Sequence, residues 1–267
     1  MIKSLLYRMP YSHSFPEEEL EGLRAAQALS YRCARDIAKE LQEGWTEVQT
    51  ARLMDTYLRD SGVKAHFHKS FAWFGDRTRF DGMTNWFQFL PSDRRLRAGD
   101  AIILDTSPIF NGYAADIGYS TSLGPNAKLD QALKTLASLR ESILALFTKR
   151  KLSGAEICEA VVLHIRQAGY EPVHHRYPGA VLGHRLHRMT EAWRPPLPIP
   201  FSWQAVTKIL SRGVVPDLLN EEHQGNLLGG WAIEPHLGGD GFGCKFEEMI
   251  VVDEKGARWL APETPWI

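Results

Sequence analysis

The stretch AIILDTSPIFNGYAADIGYS, residues 101–120, decides the fold. It opens on an apolar run, Ala101 to Leu104, and then presents Asp105, a carboxylate that is costly to bury without compensation. Asn111-Gly112 is a strong two-residue hairpin signal. Such a turn lets the chain double back and bring Asp116, on a returning strand, to the same face as Asp105. The same device occurs near the end of the chain. GGWAIEPHL (229–237) and CKFEEMIVVDEKG (244–256) read as strands around the turn Gly238-Gly239-Asp240-Gly241, and they carry Glu234 and Glu247. One such acid is readily explained as a hydrogen-bonded carboxylate at a strand end. Four on two hairpins would repel strongly unless cations neutralise them.

Helical patterns precede each strand group. Pro16 is followed by Glu17, Glu18 and Glu19, acids that suit a helix N-terminus. Leu20, Leu23, Ala26, Leu29, Ile37 and Leu41 then recur at helical spacing up to Gly44. Thr46 is an N-cap candidate for a second helix carrying Val48, Ala51, Met54 and Leu58, stopped by Gly62. The later half repeats the order: Leu133 to Phe147, then Ser153 as a cap, then Ile157 to Ile165 and Gly169. This is a weak internal duplication, with halves at about 16–125 and 126–257 in one domain spanning 1–267. The proline-rich segment at about 191–230, with Trp193 and Trp203, reads as an insertion.

Composition excludes several classes. A formal net charge of −1 gives no reason to expect a nucleic-acid or membrane partner. No run approaches the ~20 apolar residues of a membrane span, and the N-terminal apolar run is too broken for a secretion signal. Three scattered cysteines, with no CxxC, suit a reducing compartment. The expected location is the cytoplasm.

DTSPIFNGYAADIGYS resembles the first metal-binding segment of the methionine aminopeptidase, aminopeptidase P, prolidase and creatinase family. Gly183-His184 resembles its glycine-histidine segment, AIEP its Ile-Glu-Pro, and FEEMIVVDEKG its final Glu and strand. The resemblance runs from about Glu17 to Gly256. It implies the α/β pita-bread fold, two pseudo-symmetric halves around a curved antiparallel sheet, and it allows a homodimer. It further implies two divalent ions (Mn, Fe, Co or Zn) held by Asp105, Asp116, His184, Glu234 and Glu247. Asp116 and Glu247 would bridge the ions, with room for a bridging hydroxide, and Glu234 would be the general base.

The activity implied by the resemblance is that of a dinuclear hydrolase cleaving an amide bond in a small peptide, an aminopeptidase or dipeptidase. A creatinase-like hydrolase or lyase on a non-peptide molecule is the alternative, and a catalytically inactive interaction module ranks third. The family's two further histidines are absent. Glu191 stands at the position of one, with His187 the nearest substitute, and no histidine lies between His68 and Asp105. Substrate contact is therefore expected from Arg77, Arg79, Arg185, Arg188 or Glu191, the arginines offering a fork to a carboxylate. His66, His68, His174 and His175 read as surface or packing residues, and His236 as a neighbour of Glu234.

Overall fold

The structure is a computed structural model that describes residues 15–149, 152–186, 189 and 217–267. The elements follow the expected order: α1 (Glu17–Glu40), α2 (Glu47–Asp60), β1 (Ala65–Phe74), β2 (Ala101–Phe110), β3 (Tyr113–Ala114) and β4 (Ile117–Ser122). A second helix pair comes next, α3 (Ala127–Thr148) and α4 (Gly154–Gln167). The remaining strands are β5 (Glu171–Pro172), β6 (Gly183–Arg185), β7 (Leu218–Leu219), β8 (Gly229–Ile233), β9 (His236–Gly238), β10 (Gly243–Lys245), β11 (Glu248–Asp253) and β12 (Gly256–Trp259). The helix pairs match in size, with 24 and 14 residues in the first and 22 and 14 in the second.

Local chemistry explains the boundaries. Thr46 accepts from the Gln49 N–H while the Gln49 side chain accepts from Thr46, and Ser153 with Glu156 closes the same reciprocal box on α4. Each box satisfies two N–H groups that a helix start leaves open, and losing such a cap costs about 1 kcal/mol. Asn111 and Gly112 both adopt positive φ (51° and 84°) and pair Phe110 with Tyr113, the geometry of a tight two-residue hairpin.

β2 is central to the first sheet, antiparallel to β1 on one side and to β3 and β4 on the other. The second sheet has the order β12-β11-β8-β6-β7, and β10-β9-β5 form a third. An isolated bridge between Gly118 and Glu247 ties β4 to the segment between β10 and β11. The four helices pack apolar faces onto the sheets, and one large core spans both halves from Leu29 to Trp266.

Each long strand anticipated from the sequence is interrupted. Tyr113–Ser122 is broken at Ala115-Asp116, GGWAIEPHL at Glu234-Pro235, and CKFEEMIVV at Phe246-Glu247. Pro235 accounts for one break directly, because it has no N–H for the ladder. Asp105 departs in the opposite sense. It does not end its strand but lies inside β2, opposite Gly118.

Burial of neutral histidines adds a pH-dependent term to stability. Burial, with His175 alongside, pushes His174 down to about 3, and burial pushes His223 down to about 4. An unfolded histidine takes a proton near ~6.5. The stability these residues contribute is therefore complete above that pH and is lost as pH falls toward the folded values. The share of the melting temperature that these two histidines carry should fall from about pH 6.5 to pH 4, and His174→Gln should lose less than wild type over that range. Thermal scans across the range check this, and an unchanged slope in the variant would exclude the assignment.

Candidate metal centre

Three of the four acids stand at the strand breaks. There the side chain is released from the sheet's alternation and can turn inward. Asp116 sits between β3 and β4, Glu234 directly after β8, and Glu247 between β10 and β11, while His184 is the middle residue of β6. Glu247 is further pinned by Tyr31 of α1, whose hydroxyl donates to the Glu247 carbonyl at 2.6 Å. Asp105, Asp116, Glu234 and Glu247 are all buried. The five residues converge.

His184 Nε2 lies 3.1 Å from Asp116 Oδ2 and 3.5 Å from Glu247 Oε1. The Phe67 ring stacks on the His184 imidazole, with centroids 5.8 Å apart and planes 11° from parallel, and fixes its orientation. Glu248 points the other way, to Arg140. Adjacent residues of an extended chain face opposite sides, so only one of the two glutamates can serve this centre.

Two residues of the centre were not expected. His68, read from sequence as a surface or packing residue, is buried with Nε2 3.1 Å from Asp116 Oδ1 and 3.6 Å from Asp105 Oδ1. Register shifts in β1 on either side of His68 swing it inward, and irregular pairing of that kind leaves no periodic signal. The other is Lys245. Its Nζ lies 2.6 Å from Asp105 Oδ2, 2.9 Å from Glu234 Oε2 and 2.9 Å from Glu247 Oε2. A signal existed for this residue, because Lys245 is two residues before Glu247 and extended chain puts both on one face.

The charges set the protonation of the cluster. Burial and the neighbouring Glu247 push Glu234 up to about 8, against the pull of Lys245. Burial raises Asp105 to about 6, again opposed by Lys245. Burial would raise Asp116 too, but His68 and His184 hold it below the usual carboxylate range. Burial disfavours charge on His68, yet Asp116 and Asp105 raise it to about 9.

Asp116, His184 and Glu247 bring ligand atoms within 4.8 Å of one another, and so do His68, Asp105 and Asp116. Two carboxylates and an imidazole form a donor set suited to a divalent transition metal. Both triads have this donor set, and in each one acid, Glu247 or Asp105, also meets Lys245 Nζ. Asp116 belongs to both triads.

Of the arginines expected at the substrate, the three described ones, Arg77, Arg79 and Arg185, are engaged elsewhere. Arg77 Nε donates to the buried Glu47 carboxylate at 2.9–3.0 Å and its Nη2 to the Gln88 and Leu90 carbonyls. Arg79 pairs with Asp81 and Glu171 and donates to the Gly239 carbonyl. Arg185, beside His184, faces away from it. It donates to the Leu228 and Asn226 carbonyls and lies 4.1 Å over the Trp231 ring. His187, Arg188, Glu191, Trp193 and Trp203 lie outside the described residues. His236 reaches the centre indirectly, through a 2.8 Å hydrogen bond to Tyr177, whose ring is 5.4 Å from Lys245 Nζ.

Comparison with known proteins agrees with this architecture. Among solved structures, an X-Pro aminopeptidase from Thermotoga maritima superposes with a TM-score of 0.70 at 19% identity, covering 99% of this chain and 65% of that one. A prolidase from Pyrococcus furiosus also gives 0.70, at 18% identity and 98% and 67% coverage. Methionine aminopeptidase from Rickettsia prowazekii gives 0.62 at 15% identity, with 92% and 98% coverage. These likenesses establish the pita-bread fold. In sequence, a methionine aminopeptidase of Archaeoglobus fulgidus is 22% identical over 157 residues, 59% of this chain and 50% of that protein. An uncharacterized peptidase of Staphylococcus aureus is 25% identical over 117 residues, 44% of this chain. The chain spans about a third to a half of the curated relatives it matches, 32% and 50% of these two. The model of metallopeptidase family M24 matches residues 21–254, nearly the whole chain, and the protein belongs to that family.

Proposed function

We propose that this protein hydrolyses an amide bond in a small peptide, as an aminopeptidase or dipeptidase dependent on a divalent cation. The observation that carries this reading is the Asp116, His184 and Glu247 triad, two buried acids at strand breaks and a half-buried histidine in β6, in a fold shared with X-Pro aminopeptidases and prolidases. Mn, Fe, Co and Zn all suit two carboxylates and one imidazole. The family resemblance supports two ions here, held by Asp105, Asp116, His184, Glu234 and Glu247, and Lys245 bears on that number. Among the described residues no helix is long and apolar enough to cross a membrane. The cytoplasm is the proposed location, on the strength of three cysteines that are all free and buried.

Asp116, His184 and Glu247 would hold the ion, which would supply Lewis-acid polarisation of the scissile carbonyl and activation of water at neutral pH. The chain's own groups supply the rest. Glu234 is the proposed general base, its proton affinity raised by burial and Glu247 before any ion binds. His68, 3.1 Å from Asp116, holds that carboxylate in place and offsets its charge. Phe67, Ala114 and Met189 line a small cavity beside Asp116 and His184 and give it an apolar wall.

The test is to reconstitute the purified protein with Mn or Co and assay Met-Ala, Xaa-Pro dipeptides and non-peptide amides. Turnover of one or more peptides, abolished by chelation and restored by the metal, is expected. Hydrolysis of non-peptide amides alone would move the protein to the creatinase-like alternative. Chelator-insensitive activity would overturn the metal dependence.

A further inference from the structure

Lys245 is 2% exposed, and the three carboxylates around its ammonium come from three separate parts of the chain. An ammonium has three N–H donors. Here each meets one carboxylate oxygen, on Asp105, Glu234 and Glu247, at 2.6–2.9 Å. The group is saturated. A divalent ion would use these same oxygens at about 2.0–2.2 Å, and so would stand almost where Nζ stands. Two cations cannot share that space.

The surroundings are built for this side chain. A Cβ placed on Gly118 would come within 2.3 Å of Lys245 Cε and 3.2 Å of its Cγ. Gly118 has no positive φ that would call for glycine on conformational grounds. Its missing side chain is the channel through which the lysine stem reaches the acids. Ser120 fixes the lysine backbone from both sides, its Oγ accepting from the Lys245 N–H at 2.8 Å and donating to the Lys245 carbonyl at 2.7 Å. The Tyr177 ring, 5.4 Å from Nζ, covers the head group.

We propose that the Lys245 ammonium holds the place of one of two divalent cations, so that the centre binds a single ion, on Asp116, His184 and Glu247. This rests on the metal-dependent reading and departs from the two-ion arrangement. The donor atoms divide accordingly. Glu247 gives Oε2 to the lysine and keeps Oε1 on the His184 side, while Asp105 gives Oδ2 to the lysine and turns Oδ1 to His68. Counted with all four acids ionised and both histidines neutral, one divalent ion and the ammonium leave a single net negative charge. Two ions beside the lysine would make the cluster net positive before any anion entered. Glu234 is then a partner of Lys245 before it is a metal ligand.

The test is metal stoichiometry. Chelator-stripped protein is titrated with Mn or Co, bound metal is counted by elemental analysis, and melting temperature is followed alongside. Wild type should bind one equivalent. Lys245→Met keeps the stem and removes the charge, and should bind two, its second equivalent tighter than in wild type by on the order of 100-fold or more, as removal of a unit charge at a few ångströms implies. The second equivalent should also raise the variant's melting temperature. Two equivalents of similar affinity in wild type would overturn the inference while leaving metal dependence intact, and that measurement needs no variant to fold. One equivalent in both proteins would show that the lysine excludes nothing. None in either would overturn the metal-dependent reading itself, and this inference with it.

Discussion

Asp116→Asn should reduce peptide hydrolysis by on the order of 1,000-fold or more and weaken metal binding in parallel. Removing a hydrogen-bond partner outside the coordination sphere already costs about 10–100-fold in such sites. Asp116 is more than that, because its two oxygens face His68 and His184 at 3.1 Å each and it belongs to both donor triads. Asparagine preserves the shape, so a fold defect is not the expected route of loss. One amide oxygen remains as an acceptor, but the negative charge is gone, and the imidazoles lose the carboxylate that holds them. The measurement pairs kcat/KM with metal content on protein shown to be folded. Full metal occupancy with unchanged turnover would remove Asp116 from the centre and leave the neighbouring side chains to be reassigned.

What the sequence showed of this centre depended on which physical rule placed each residue. The Asn111-Gly112 turn follows from the left-handed backbone those residues tolerate, and it forms. Thr46 and Ser153 cap because a short polar side chain reaches the third N–H of a helix, and both close capping boxes. Strand alternation allowed only one of Glu247 and Glu248 to face the centre, and the family resemblance picked Glu247. These are local rules.

The failures involve long-range context. His68 enters through irregular register in β1, which a period-two pattern cannot reveal. Arg77 and Arg79 looked free for a substrate because their partners, Glu47, Asp81, Glu171 and Gly239, mostly lie on other elements. A buried acid such as Glu47 claims the nearest guanidinium, and nothing near residue 77 announces it. Lys245 is a different case. Alternation puts Lys245 on the same face as Glu247, but a lysine in a strand is ordinarily solvated. Only the gap left by Gly118, far away in sequence, lets it turn inward.

Arg140 offers the largest expected effect on stability, through the glutamate that the centre does not use. Its Nε and Nη2 donate to Glu248 Oε2 and Oε1 at 2.7 and 2.6 Å, a two-pronged pair with side-chain exposures of 5% and 0%. Nη2 also donates to the Ala261 carbonyl, Trp266 Nε1 donates to Glu248 at 3.2 Å, and the guanidinium lies 4.9 Å over the Trp259 ring. Together these tie α3 to β11 and to the C-terminal segment. Arg140→Ala would strand a buried carboxylate, which typically costs about 3–5 kcal/mol. At roughly 2–4 °C per kcal/mol for a domain of this size, the melting temperature should fall by about 10 °C. Pairing Arg140→Met with Glu248→Met should recover most of that, since the loss comes from the unpaired charge more than from the missing contact. Metal stoichiometry should be the same in both proteins, because Glu248 faces away from the centre. A double variant no more stable than Arg140→Ala would mean that the hydrogen bonds to Ala261 and Trp266, and not the stranded charge, hold this corner of the fold.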